Sequence, residues 1–224
     1  MPAGVKAVVV SVLVAVFGLH GSAGYSPQVT NPWFPLTPGT ELVYSGTKDG
    51  KVTRDVVVVT RQTITIAGAR CVIVRDVLYE AGKLEERTSD YYTQDRAGNV
   101  WYFGEDTAEL DVQGGVTSTE GTWRAGRDGA KPGIYMPAHP RVGQTGRQEY
   151  YAGHAEDHFR VVSLHATARV PYVSSPSALE TREWTPLEPG TLDRKLYVRG
   201  IGTVKEASLK GPVERAVLVA KHVR

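Results

Sequence analysis

Residues 41–61, ELVYSGTKDGKVTRDVVVVTR, contain the clearest fold signal in this sequence. Two runs rich in β-branched and apolar residues flank the dipeptide Asp49-Gly50. This dipeptide is typical of the tight turn between two antiparallel strands, because both of its residues tolerate a positive φ angle. Residues 41–45 and 51–61 are therefore predicted to form a β-hairpin.

The same alternation of strand-forming runs and glycine-containing turns continues along the chain. Further strands are predicted over residues 70–80, 84–95, 100–103, 116–120, 148–151, 157–170, 178–185, 191–199, 202–209 and 213–222. After residue 23 the sequence lacks the apolar period of an amphipathic helix. About ten or more strands exceed what one open twisted sheet holds comfortably. The sequence therefore predicts an all-β antiparallel meander that forms a closed or partly open barrel, with a sandwich as the alternative.

The first 23 residues have the pattern of a secretory signal peptide. Lys6 precedes an apolar run over residues 7–19, and small residues follow at 21–23. The run is shorter than the roughly 20 residues that a membrane-spanning helix needs. We expect cleavage near Ala23 and a secreted or periplasmic protein with no transmembrane segment after signal removal. The remaining residues, 24–224, are expected to form a single β-rich domain.

Residues 124–146 differ in composition from the rest of the chain, because glycine and proline are frequent and apolar residues are few. A segment of this kind is either a functional loop or a linker. Trp123, Ile134, Tyr135 and Met136 offer apolar anchors that a solvated linker does not need. We expect a long ordered loop here, with a domain boundary as the alternative.

Composition narrows the possible functions. The formal net charge is only +2, which disfavours a nucleic-acid partner because phosphates require a concentrated basic face. Cys71 is the one cysteine, and its apolar surroundings predict a buried, unreactive thiol. The sequence contains no G-x-S-x-G elbow, no P-loop and no dinucleotide-binding glycine pattern. The motifs therefore name no reaction.

Three segments carry a resemblance to a known family: NPWFPLTPGT at 31–40, GNVWYFGED at 98–106 and KPGIYMPAHP at 131–140. Together they resemble a family of uncharacterised secreted bacterial β-rich proteins. The resemblance covers nearly all of the chain after the signal peptide and implies export and a β-rich fold. It implies no activity, cofactor or site residue.

Alternating histidine and carboxylate side chains suggest a metal site. His154, Glu156 and His158 would project from one face of a strand, because side chains return to the same face every second residue. Two imidazoles and a carboxylate form a workable ligand set for a divalent metal such as Zn, Fe or Mn. One hypothesis is therefore a metal-dependent hydrolase or oxygenase. The alternative is that Gly153 marks a turn and that these polar side chains are solvated.

Aromatic residues suggest a binding site inside the barrel. The predicted ligand-binding residues are Tyr92, Trp101, Phe103, Tyr151 and Trp184. Rings with polar tips suit a small apolar or aromatic molecule or a lipid, in a cavity of roughly 300 Å³ or more. The leading hypothesis is thus a secreted binding module. The alternatives are rings that merely fill the core, and a cell-envelope interaction protein without a small ligand.

Carboxylates near predicted strand ends suggest a second catalytic hypothesis. Glu105, Asp106, Glu149, Glu156 and Asp157 include candidates for the two carboxyl groups that cleave a glycosidic bond. The structural alternative is that they cap turns and pair with neighbouring arginines.

Overall fold

The computed structural model describes residues 24–224, so the predicted signal peptide lies outside the described residues. The strands are β1 (Tyr25–Ser26), β2 (Thr40–Lys48), β3 (Lys51–Ile66), β4 (Ala69–Glu80), β5 (Lys83–Asp95), β6 (Val100–Leu110), β7 (Val116–Ser118), β8 (Trp123–Arg124), β9 (Lys131–Met136), β10 (Thr145–Arg147), β11 (Glu149–Tyr150), β12 (His158–Arg169), β13 (Ser174–Trp184), β14 (Leu192–Val198), β15 (Gly202–Lys210) and β16 (Glu214–Val223). The all-β prediction is confirmed. Among residues 24–224, no helix has the length and apolar character needed to cross a membrane.

Within residues 24–224, all sixteen strands belong to one sheet of antiparallel pairs. Strands β2 to β6 form one meander, and strands β12 to β16 form a second meander. The pair β16–β2 joins the two, with Leu218 opposite Tyr44. The sheet is long enough to curl round an interior, as the sequence predicts for a barrel.

Tight turns connect the strands of the first meander. Asp49-Gly50 has φ angles of 47° and 81°, as a type I′ turn requires. Ala67-Gly68 and Ala81-Gly82 repeat the pattern, with φ angles of 46° and 81° and of 48° and 79°. The predicted first hairpin is confirmed, with Lys48 opposite Lys51.

The barrel nearly closes at a seam, which we define as residues 145–150. Strand β10 pairs with β12 at one end of the sheet, and β11 pairs with β9 at the other end. Only Gln148 separates β10 from β11, and its amide N–H donates to the Asp157 carbonyl at 2.7 Å. One short piece of chain therefore joins the two ends of the sheet, through residues 158–160 of β12 and residues 131–132 of β9.

The expectation of a long loop over residues 124–146 is wrong for residues 131–136, which form β9. This strand pairs with β6, with Ile134 opposite Trp101, and it ends on the fully buried Met136. Pro132 and Gly133 conceal it in the sequence because both are rare inside strands. Gly133 is required here, since a Cβ at this position would lie 2.3 Å from the backbone of Gln148.

Two hydrophobic clusters fill the fold. The larger one contains Val59, Val72, Val74, Val100 and Phe159 together with most of the buried aromatic rings. The smaller one contains Leu42, Ala168, Ala178, Leu196, Val204 and Leu218. Cys71 is fully buried in the larger cluster, and burial raises the pKa of its thiol to about 12. The prediction of a buried cysteine is confirmed.

Replacing Gly133 tests the close contact at the seam. We expect Gly133→Ala to lower the free energy of unfolding by about 3 kcal/mol, because the new methyl group overlaps backbone atoms that have no room to move. Gly82→Ala is the control, since its Cβ meets open space and only its φ of 79° opposes the change, at about 1 kcal/mol. Urea unfolding of both variants measures the difference. Equal losses would show that the seam is not tightly packed.

Candidate functional site

A half-open cavity of about 180 Å³ lies inside the barrel. Its aromatic lining residues are Phe34, Tyr44, Tyr92 and Tyr135, and its ionisable lining residues are Asp55, Asp76, Asp90, Lys195 and Glu206. Other lining residues come from β2, β3, β4, β15 and β16, from residues 35–36 and from Ile201. The cavity thus combines an apolar surface with a group of charged side chains.

The division of the wall into apolar and acidic parts follows from strand geometry. On β3, the cavity is lined by every second residue, Val59, Val57 and then Asp55. Strand β4 gives Val74 and then Asp76. Val59 lies opposite Val74, and Val57 lies opposite Asp76. The inward face therefore changes from valine to aspartate along both strands in the same direction.

The aromatic side of the cavity is tightly organised. Tyr92 stacks on Tyr102 with a centroid separation of 4.8 Å and an interplanar angle of 20°. Tyr135 meets Tyr92 edge-on at 5.1 Å, and Phe34 lies 4.6 Å from Tyr135. The Tyr102 hydroxyl donates to Asp90 Oδ1 at 2.7 Å. These contacts hold the rings in place beside the carboxyl groups.

Lys195 is the cation of the cavity wall, and it is already paired. Its Nζ lies 3.1 Å from Glu183 Oε2 and 3.4 Å from Glu206 Oε1. Glu183 also accepts hydrogen bonds from the hydroxyls of Tyr197, at 3.0 Å, and Thr181, at 2.7 Å. The Lys195 ammonium is therefore fixed on the β13–β15 side of the barrel.

Burial changes the acidity of the carboxyl groups. Desolvation, followed by repulsion from Asp76, raises the pKa of Asp90 to about 7. Desolvation also raises the pKa of Glu206 to about 7, although Lys195 opposes the shift. The pKa of Asp76 is raised well above its usual value by desolvation and then by the charge of Asp55. Desolvation also raises the pKa of Asp55 above its usual value.

Two of the carboxylates considered for glycoside cleavage lie near this region. Desolvation raises the pKa of Glu105 to about 9 and that of Glu149 to about 8. Glu149 Oε2 accepts a hydrogen bond from the Trp123 indole at 2.8 Å. Asp106 instead forms a salt bridge with Arg124 and accepts a hydrogen bond from the Tyr91 hydroxyl. Glu105 and Glu149 therefore add two more desolvated carboxyl groups to the interior.

Of the five predicted ligand-binding aromatics, only Tyr92 lines the cavity. Trp101 and Phe103 pack against Tyr25, with centroid separations of 6.1 and 5.3 Å. Both point away from the cavity, because Tyr102 between them is the residue that faces inward.

The remaining two predicted aromatics, Tyr151 and Trp184, lie elsewhere. Tyr151 stacks on His154 at 4.3 Å, and Trp184 stacks on His158 at 5.6 Å. The prediction that all five rings share one wall is wrong.

The proposed metal ligands do not share a strand face. His154 lies in a turn, and β12 begins only at His158. Glu156 Oε1 accepts a hydrogen bond from the Gly153 amide at 2.9 Å. His158 Nδ1 forms a hydrogen bond with the Glu156 carbonyl at 2.7 Å. The expected strand over 154–158 is therefore wrong, because the chain turns at Gly153. Within residues 24–224, no three His, Cys, Asp or Glu side chains are grouped so as to hold a metal ion.

Comparison with known proteins gives limited similarity. No protein-family model and no curated protein matches this chain. Among solved structures, it is similar to a Bacteroides fragilis protein described as a "putative exported protein with YmcC-like fold", with 17% identity over 85% of this chain and 98% of that one and a TM-score of 0.49. It is also similar to a "putative lipoprotein" of Parabacteroides distasonis, with 10% identity over 86% and 99% of the two chains and a TM-score of 0.44.

The protonated interior predicts how stability depends on pH. Asp90, Glu206 and Glu149 have folded-state pKa values of about 7, 7 and 8, whereas carboxyl groups of an unfolded chain titrate near 4. The folded protein therefore binds more protons than the unfolded chain, and its stability falls as the pH rises from about 4.5 through 8.

Calorimetry of the mature protein at pH 5, 7 and 9 measures this dependence. We expect the Tm to fall by about 5 °C or more between pH 5 and 9. The double variant Asp90→Asn, Glu206→Gln serves as the control and should show a flatter profile. A Tm that is constant or rises over this range in the unmodified protein would contradict the assignment.

Proposed function

We propose that the mature protein is a binding module that acts outside the cytoplasm and holds one small molecule inside its barrel. The observation that carries this proposal is the cavity, where aromatic rings and ionisable groups from distant strands meet around unfilled space. A mostly apolar pocket with a few convergent polar groups is the usual form of a small-molecule site. The signal-peptide pattern of residues 1–23 supports export.

The volume of the cavity limits the size of the ligand. About 180 Å³ is less than the roughly 300 Å³ at which pockets for drug-sized molecules begin. It exceeds the roughly 150 Å³ of an engineered cavity that accepts benzene. The cavity therefore suits a single ring or a short chain, and the hypothesis of a whole lipid enclosed in the barrel loses its support.

The rigidity of the wall favours binding over a purely structural role for the rings. Tyr92, Tyr102 and Tyr135 contact one another on one side of the cavity. A preformed wall reduces the ordering that a ligand must otherwise impose. The space beside these rings is thus available without rearrangement of the core.

Filling the cavity tests this function. Ala216 lines the cavity on β16, opposite Glu206. We expect Ala216→Leu to weaken binding of a small aromatic probe such as benzyl alcohol at least about tenfold, since the added side chain occupies the space that the ligand needs. Isothermal titration calorimetry measures the affinity.

Ala207→Leu provides the matched control. Ala207 follows Glu206 on β15, so its side chain points to the opposite face of the sheet. This variant should bind the probe as the unmodified protein does. Native mass spectrometry of secreted protein gives a second readout, namely a retained small molecule that the Ala216→Leu protein lacks. Equal binding by both variants, or an empty barrel that takes up no probe, would overturn the proposal.

A further inference from the structure

The wall of the cavity carries more acidic groups than basic groups. Four carboxyl side chains, Asp55, Asp76, Asp90 and Glu206, line the space together with one lysine. Lys195 is bound to Glu206 and to Glu183. Among residues 24–224, the three aspartates have no ion pair with any lysine, arginine or histidine. The positive charge of Lys195 is thus already paired with Glu183 and Glu206.

One acceptor in the wall has no hydrogen-bond partner within the described chain. Asp55 Oδ1 is excluded from solvent, yet it receives no hydrogen bond from any group of residues 24–224. Asp55 lines the cavity directly. A buried polar atom without a partner is unfavourable, and in native proteins it commonly marks a place where another molecule supplies the missing bond.

The aromatic rings add a second preference for positive charge. The faces of tyrosine and phenylalanine rings carry negative charge density and attract ammonium groups that lie within about 6 Å. Phe34, Tyr92 and Tyr135 contact one another on the wall that also contains Asp90. An anion would meet repulsion from the aspartates here, and a neutral molecule would leave their charge uncompensated.

We propose that the ligand of this cavity is a small organic cation, an alkylammonium or arylalkylammonium ion, whose nitrogen binds Asp55, Asp76 and Asp90 and whose hydrocarbon part lies against Phe34, Tyr92 and Tyr135. This inference rests on the proposed binding function and specifies the chemical class of its ligand. An ammonium group has three N–H donors, which matches three carboxyl groups on neighbouring strands.

Binding of a cation is coupled to release of protons from the wall. Asp90 is half-protonated near neutrality because its pKa is about 7, and desolvation raises the pKa values of Asp55 and Asp76 as well. The ammonium charge favours the ionised carboxylates, so these protons leave when it binds. The other titratable groups facing the site are Lys195, Glu206, Tyr44, Tyr92 and Tyr135.

Three probes of nearly equal size but different charge test the inference on the unmodified mature protein: benzylamine, benzyl alcohol and benzoate. Titration calorimetry at pH 8 should show benzylamine binding at least about tenfold tighter than benzyl alcohol and no binding of benzoate. Lowering the pH to 5 should weaken benzylamine at least about tenfold and leave benzyl alcohol unchanged. Titrations at pH 7 in two buffers of different ionisation enthalpy should show net proton release with benzylamine alone.

Two variants locate the charge that recognises the cation. Asp90→Asn and Asp55→Asn should each reduce benzylamine affinity about tenfold while benzyl alcohol affinity stays the same. Asp128→Asn is the matched control, because Asp128 is exposed at a turn with a φ of 50°, which asparagine tolerates well. Thermal unfolding confirms that each variant is folded before its affinity is compared.

The outcomes separate this inference from the function on which it depends. If benzyl alcohol or benzoate binds as tightly as benzylamine, the inference is overturned and the binding function stands. If no probe binds, the inference is overturned as well. The binding function then falls too, unless native mass spectrometry shows a retained small molecule. Unchanged benzylamine affinity in both aspartate variants would also overturn the inference.

Discussion

The interior of this barrel holds more carboxyl groups than cations, and this imbalance governs how the molecule behaves. Asp55, Asp76 and Asp90 lie on three neighbouring strands and face the same space. Removing charged carboxylates from water is strongly unfavourable unless protons, cations or hydrogen bonds compensate. Here the Tyr102 hydroxyl, which donates to Asp90, and Lys195, which pairs with Glu206, supply part of that compensation. The remainder makes the interior sensitive both to pH and to positively charged molecules.

The closure of the sheet creates this environment. Gln148 joins the two ends of the sheet, and Gly133 allows the backbones of β9 and the seam to approach closely. An open sheet would leave the aspartate faces of β3, β4 and β5 in water, where their acidity would be ordinary. Curling the sheet places the same side chains opposite β14 and β15, which carry Lys195 and Glu206. The chemistry of the site is therefore a consequence of the topology and not of a local motif.

The strand pattern was predictable because turn dipeptides such as Asp49-Gly50 and the alternation within each run are local signals. The inward face was not predictable from the same runs. The run Val56–Val59 is apolar on both faces of its strand, and the run Trp101–Phe103 has an aromatic ring on both faces. The period of the sequence therefore does not reveal which of these residues point inside. The sequence pattern therefore does not mark Asp55, Asp76 and Asp90 as inward-facing. The metal hypothesis is wrong for another reason, since Gly153 signals a turn that includes His154, whereas His158 begins strand β12.

The pKa values of individual interior carboxyl groups show whether the interior is desolvated and acidic. Carboxyl ¹³C chemical shifts, assigned with Asp90→Asn and Glu206→Gln, report each titration separately. We expect midpoints near 7 for Asp90 and Glu206, since their pKa values are raised to about 7. If every aspartate and glutamate titrated between about 3 and 5, as solvated carboxyl groups do, the interior would not be the desolvated, acidic site described above.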